Sequence, residues 1–223
     1  MLESPPPWLP DDGRLRRLLG DSALYPFYRL KLTEYVSRLL PPGPCSILDI
    51  GAGDGSLGLV FQTFRPATRV VGIEVALRAA TRAGVPMVRF DGRSIPFADE
   101  SFDVSLVSNV LHHASDPGAL LREARRVTRK RIIVKDHLSE GRLDDLKLAA
   151  LDVMGNLRLG AQVSAVYLTR QRWNELFASL PGVRVSTFER LPFRRGLLEL
   201  LFSNGLEVIF ALDIESRRLA STA

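Results

Sequence analysis

From Ser46 onward the chain alternates two patterns. Short apolar runs at residues 47–50, 70–73, 85–90, 102–107 and 132–134 have few polar interruptions, which predicts strands covered on both faces. Between them, residues 57–64, 76–83 and 119–128 space their apolar positions as helices do. The last is the clearest: Asp116 can cap it, Pro117 suits its first turn, and Leu120, Leu121, Ala124 and Val127 form one apolar stripe. Strand and helix alternating this often predict a parallel sheet in a doubly wound α/β fold.

The two ends follow other rules. Leu15, Leu18 and Leu19 predict a short helix, and Leu30, Leu32, Val36, Leu39 and Leu40 a longer one over 25–40. Pro41-Pro42-Gly43-Pro44 stops it, because proline lacks the backbone donor and obstructs the preceding turn. The domain reading is therefore a helical extension or cap over 1–44 and the main unit over 45–223, one folding unit in all. Near the other end, residues 169–180 predict a helix ended by Pro181-Gly182, then strands at 183–188 and 206–212. No further crossover follows, so these two strands are expected to pair as an antiparallel edge. Between them Leu197, Leu198, Leu200, Leu201 and Phe202 are read as a cover for the sheet, with a membrane-surface or dimer face as the alternative.

One stretch carries chemistry. The run Ile47-Leu48-Asp49-Ile50 enters Gly51-Ala52-Gly53-Asp54-Gly55 and then a helix. Glycines there let the turn tighten and let a ligand approach backbone amides at a helix start. Glu74 ends the second strand about twenty residues on, where an acid in this fold binds ribose hydroxyls. An adenosine-containing ligand at the carboxyl end of the sheet is expected. Ser56 holds the position where the dinucleotide fingerprint wants its third glycine, and no GxxxxGK[ST] loop exists.

Composition adds exclusions. Of 223 residues 46% are hydrophobic, enough for a packed core, and the lone Cys45 rules out an internal disulfide framework. There is no leader-like start and no apolar run of membrane-spanning length, so a cytoplasmic setting is expected. The net charge of +5 and pI near 9.8 invite a nucleic-acid reading. The dense cations, Arg122, Arg125, Arg126, Arg129, Lys130 and Arg131, instead sit at a helix C-terminus, where they complement its dipole. No nucleic-acid partner is expected.

Four motifs in order, LDIGAGDGSLG at 48–58, VVGIEVA at 70–76, RFDGRSIPFADESFDVSLVSNVLHH at 89–113 and RIIVKDHL at 131–138, carry a likeness. With them the sequence resembles the class I S-adenosylmethionine-dependent methyltransferases, and among these the type 11, small-molecule branch typified by quinone-biosynthesis enzymes. The resemblance implies a Rossmann-like, mostly parallel seven-stranded sheet with an antiparallel C-terminal strand, and S-adenosylmethionine as cofactor. It implies that Gly51, Ala52 and Gly53 line the methionine part, that Glu74 holds the ribose, and that Asp91 and Gly92, with Arg93, meet the adenine. Asn109 lies where the family approaches the cofactor's amino-acid end. The lead-in Arg126-Val127-Thr128-Arg129-Lys130 lacks the family's Lys-Pro-Gly-Gly turn.

For the acceptor side, His112 and His113 follow the fourth strand and Asp136 and His137 the fifth, at the rim where ligands gather. His137, Asp136 and His113 are the candidate catalytic groups, because imidazole changes charge near neutrality. No HExxH spacing is present, and no metal is expected. Substrate walls are expected from the N-terminal helices and residues 146–167, where Asp152, Asn156 and Tyr167 are polar. Their neighbours Leu148, Leu151, Val153, Met154 and Leu157 suit a lipophilic or aromatic acceptor, or a packed helix. The function expected is methyl transfer to a small molecule. The alternatives are an RNA or protein methyltransferase and an inactive cofactor-binding scaffold.

Overall fold

In the computed structural model the described residues are 6–20, 25–65, 67–77, 84–156, 166–192 and 205–215. Asp11 begins the ordered helices: its side chain accepts from the Arg14 amide at 2.7 Å and caps α1 (Asp12–Leu19). Leu15 and Leu19 of α1 pack on Val60, which lies in α3 (Ser56–Phe64). The second helix, α2 (Tyr25–Leu39), buries Leu32, Val36 and Leu39 against Ile47, Leu57 and Phe61. The N-terminal helices thus share the core of the sheet they cover.

Seven strands form that sheet: β1 (Cys45–Ile50), β2 (Thr68–Glu74), β3 (Met87–Arg89), β4 (Phe102–Ser108), β5 (Thr128–His137), β6 (Val183–Arg190) and β7 (Glu207–Ile214). Their order is β3-β2-β1-β4-β5-β7-β6. All pairs from β3 to β5 are parallel, and β7 is antiparallel to both of its neighbours. One face packs on α2 and α3, while α4 (Pro117–Val127) and α6 (Arg170–Ala178) cover the other. Asp116 and Thr169 cap these last two helices, accepting from the Ala119 and Arg172 amides.

Several boundaries shift, each for a physical reason. The two C-terminal strands pair antiparallel at this edge of the sheet as expected, with β7 lying between β5 and an outermost β6. Pairing with β7 also lengthens β5, so Asp136 and His137 are its last two residues, opposite Val208 and Glu207, rather than following it. At the other end β5 starts at Thr128, directly after α4 with no glycine turn between them, and Arg126 pins the junction by donating to the carbonyls of Ile95 and Phe97. Residues 142–156 form α5 (Arg142–Asn156), with Leu148 buried and Leu143 and Leu146 exposed. The helix expected at 76–83 has residues 78–83 outside the described set, and 197–202, Leu157 and the side chains of Asp152, Met154 and Asn156 also lie outside it.

Candidate active site

The strand-to-helix turn after β1 is fixed from two sides. The amides of Gly51 and Ala52 both donate to the Ile73 carbonyl of β2, at 2.9 and 3.1 Å. Gly51 has φ +70°, and a Cβ there would come within 2.3 Å of Val110 Cγ2, so backbone strain and space both demand glycine. Gly53 differs in kind. Its φ is +60°, but a Cβ would meet nothing within 4 Å, so this turn presents bare backbone to open space.

Glu74 closes the turn. Its Oε2 accepts from the Gly53 amide at 2.9 Å and its Oε1 from its neighbour Val75 at 2.8 Å. A carboxylate offers about four lone-pair sites, so two amide bonds leave acceptor capacity for further hydroxyl donors. Beside it, the Phe90 amide donates to the Glu74 carbonyl at 3.2 Å, placing Asp91 and Gly92 next to the β2 terminus. Asp91 is exposed, and its Oδ1 accepts from the amides of Arg93 and Ser94 at 2.8 and 2.7 Å. The bonds from Ser94, then Arg93, hold its carboxyl below the usual range. Phe97 and Phe102 meet edge to face at 5.0 Å and belong to the core.

Asn109, just past β4, adopts φ +57°, a left-handed conformation asparagine tolerates better than most residues. It is locked there by Lys135: its amide donates to the Lys135 carbonyl at 2.8 Å, and its Oδ1 accepts from Lys135 Nζ at 2.6 Å. Lys135 is fully buried and also pairs with buried Glu207. Neither residue is among those singled out in the sequence. The available signal was a lysine immediately after the apolar run at 132–134.

The second cluster lies at the same rim. Asp136 is fully buried; its Oδ2 accepts from the Leu111 amide at 3.0 Å and its Oδ1 from the His137 amide at 2.8 Å. That same Oδ1 lies 2.5 Å from His112 Nδ1 and 3.5 Å from His137 Nδ1. Burial opposes the charge on Asp136, but the charge and hydrogen bond of His112, then the neighbouring His137, hold the carboxyl well below the usual range. Of the adjacent histidines it is therefore His112, not His113, that touches Asp136. They sit on a 3-10 turn (Leu111–His113), where successive side chains point about 120° apart, and His113 faces solvent. Its ring still lies 4.0 Å from that of His112. Tyr167 stacks over His112 at 6.0 Å and meets the His137 ring edge-on at 5.8 Å.

The cations at 122–131 are largely engaged. Arg126 binds Glu123 and Asp99, Arg129 and Lys130 pair with Asp103, and Arg131 pairs with Asp213. Among the described residues no helix is long and apolar enough to cross a membrane.

Comparison with known proteins agrees with this architecture. The family model described as "Methyltransferase domain" matches residues 48–133. An uncharacterized methyltransferase of Mycobacterium sp. (strain JLS) is 43% identical over 93 residues, 40% of this chain and 36% of that protein. The uncharacterized methyltransferase YcgJ of Bacillus subtilis (strain 168) is 37% identical over 102 residues, 41% of this chain and 40% of that protein. The matched stretch thus spans well under half the length of these curated relatives. The crystal structure of YcgJ superposes with TM-score 0.59 at 19% identity, covering 83% of this chain and 97% of that one. A SAM-dependent methyltransferase from Aquifex aeolicus superposes with TM-score 0.57 at 16% identity, covering 92% and 98%. At such identities the superpositions speak for the fold, while the family match speaks for the turn and strands at its centre. Residues 48–133 of this chain are thus similar to a methyltransferase domain, set in a sheet with the fold of the superposed methyltransferase structures.

Proposed function

We propose that the chain transfers the methyl group of S-adenosylmethionine to a small-molecule acceptor. The observation that carries this is the bond from the Gly53 amide to Glu74, made where the turn opens to space. It sets an acid and a bare backbone side by side at the carboxyl end of the sheet, where this fold binds its ligands. In this reading Gly51, Ala52 and Gly53 line the methionine part, Glu74 takes the ribose hydroxyls, Asp91 and Gly92 meet the adenine, and Asn109 faces the amino-acid end. Bound there, the cofactor supplies a methyl group already activated by its sulfonium. The residues of the chain then have chiefly to hold the acceptor in line, and positioning of that kind supplies at best about 7–11 kcal/mol of the acceleration.

Asp136, His137 and His112 occupy the acceptor side, with His113 at the mouth. Taking a proton from an acceptor that arrives as an alcohol, phenol or ammonium falls to this cluster. The pairing of the basic stretch with acids favours a small acceptor over RNA. Exposed Leu143 and Leu146, in the first turns of the helix that follows this rim, suit an apolar one.

Two variants separate the halves of the site. Gly53→Val places a branched side chain in the open space, in a backbone region costing such residues about 1–2 kcal/mol. Calorimetry with S-adenosylhomocysteine should then show binding lost while the circular dichroism of the fold persists; retained affinity counts against the turn as the ligand cradle. His137→Ala should lower turnover about a hundredfold, within the usual range for a proton-transfer group, with cofactor affinity near normal. Undiminished turnover removes His137 from the reaction. The acceptor is to be identified by incubating the protein with methyl-labelled cofactor and a metabolite extract; cofactor binding with no labelled product would favour a scaffold.

A further inference from the structure

The chain has three histidines, and all three lie in the single cluster at the ends of β4 and β5. Two of them, His112 and His137, are buried with Asp136, and the three offer donor atoms within 4.8 Å of one another. His137 Nδ1 is buried without a hydrogen-bond partner, although it lies 3.5 Å from an Asp136 oxygen. An imidazole nitrogen in that position is costly unless something fills the gap.

From this we infer that His112, Asp136 and His137 bind a divalent first-row transition metal ion, zinc in the first instance. Two imidazoles and one carboxylate are a donor set such ions take, leaving a position open for a further ligand. Donors about 2 Å from an ion stand about 2.8 Å apart at octahedral angles and about 3.3 Å apart at tetrahedral ones. Asp136 Oδ1 lies 2.5 Å from one ring nitrogen and 3.5 Å from the other, so a tetrahedral site needs the first contact to open by about 0.8 Å and the second to close by about 0.2 Å. Coordination through His112 Nδ1 requires that ring's proton to reside on Nε2 or to leave to solvent.

The supports an ion site needs are present. The Leu111 amide fixes the second Asp136 oxygen, and Trp173 Nε1 donates to the His137 carbonyl at 3.1 Å. Tyr167 roofs the two rings. If the proposed methyl transfer is right, the open position faces the acceptor, and an ion there would acidify an acceptor hydroxyl. Binding itself does not depend on that reading.

Titrating the full, metal-stripped chain with zinc, followed by calorimetry, should show one ion per chain. Cobalt added in its place should give visible absorption bands characteristic of nitrogen and oxygen ligation. His137→Ala and His112→Ala should each weaken zinc at least tenfold, while His113→Ala changes it less than twofold, and magnesium should not compete. Circular dichroism confirms that each variant is folded; His137→Gln, closer in volume, replaces an unfolded alanine variant. No zinc binding at micromolar concentration overturns the site. So does equal weakening by His113→Ala, or no weakening by either buried variant, since the ion is then adventitious only. S-adenosylhomocysteine binding, measured on the same metal-free protein, tests the cofactor reading independently.

Discussion

Lys135→Met should destabilise the fold by about 3–5 kcal/mol, the usual cost of removing one partner from a buried ion pair. Lys135 is fully buried, and Glu207 opposite it is 7% exposed. Taking away the ammonium removes the Lys135 charge that faces the Glu207 carboxylate in a low-dielectric interior, so its desolvation is less compensated. Against a total stability of about 5–15 kcal/mol this is a large loss. Denaturant unfolding, read at constant slope, measures it. Pairing the change with Glu207→Leu should recover most of the loss, because replacing both charges by apolar groups of similar size is often neutral. A single-variant loss below about 1 kcal/mol would mean that the pair is solvated in solution. The variant also removes the Lys135 hydrogen bond to the Asn109 side chain, so cofactor affinity should fall alongside stability.

Glu74→Ala should weaken S-adenosylhomocysteine binding about tenfold to a hundredfold, the equivalent of one hydrogen bond to a charged group at about 1.5–3 kcal/mol. The fold should remain, since among the described residues the carboxylate bonds the Gly53 and Val75 amides and, more distantly, its neighbour Ala76, at the open end of the sheet. Glu74→Gln separates charge from shape: it keeps one acceptor oxygen and is expected to fall between the two. Calorimetry gives the affinities and thermal unfolding the control. Equal affinity in all three proteins would retire the ribose assignment and leave Glu74 as a brace for the turn alone.

The elements most legible in the sequence are those fixed by local chemistry. Asp116 caps the helix it was read to cap, the helix read over 169–180 starts with Thr169 as its cap, and the five apolar runs lie within or around β1 to β5. The glycine turn was equally plain, because few residues tolerate positive φ and close contact with Val110 at once. What was hidden depends on partners distant along the chain. The extent of β5 could not be read from its own residues, since its last positions are defined by pairing with β7. Lys135 gives no local sign that Glu207 awaits it. Nor does a His-His pair say which ring turns inward; a 3-10 turn decided for His112.

By itself, the order of residues determined the class of fold, the place where backbone would be exposed to a ligand, and the acid beside it. These follow from steric rules and hydrophobic periodicity that act over a few residues. Only the folded molecule decided that β7 would lie between β5 and β6, that a lysine would be buried beneath Asn109, and that two histidines would share one aspartate oxygen. Those outcomes arise from burial, which brings together groups far apart in sequence and makes each one's charge and orientation depend on the others.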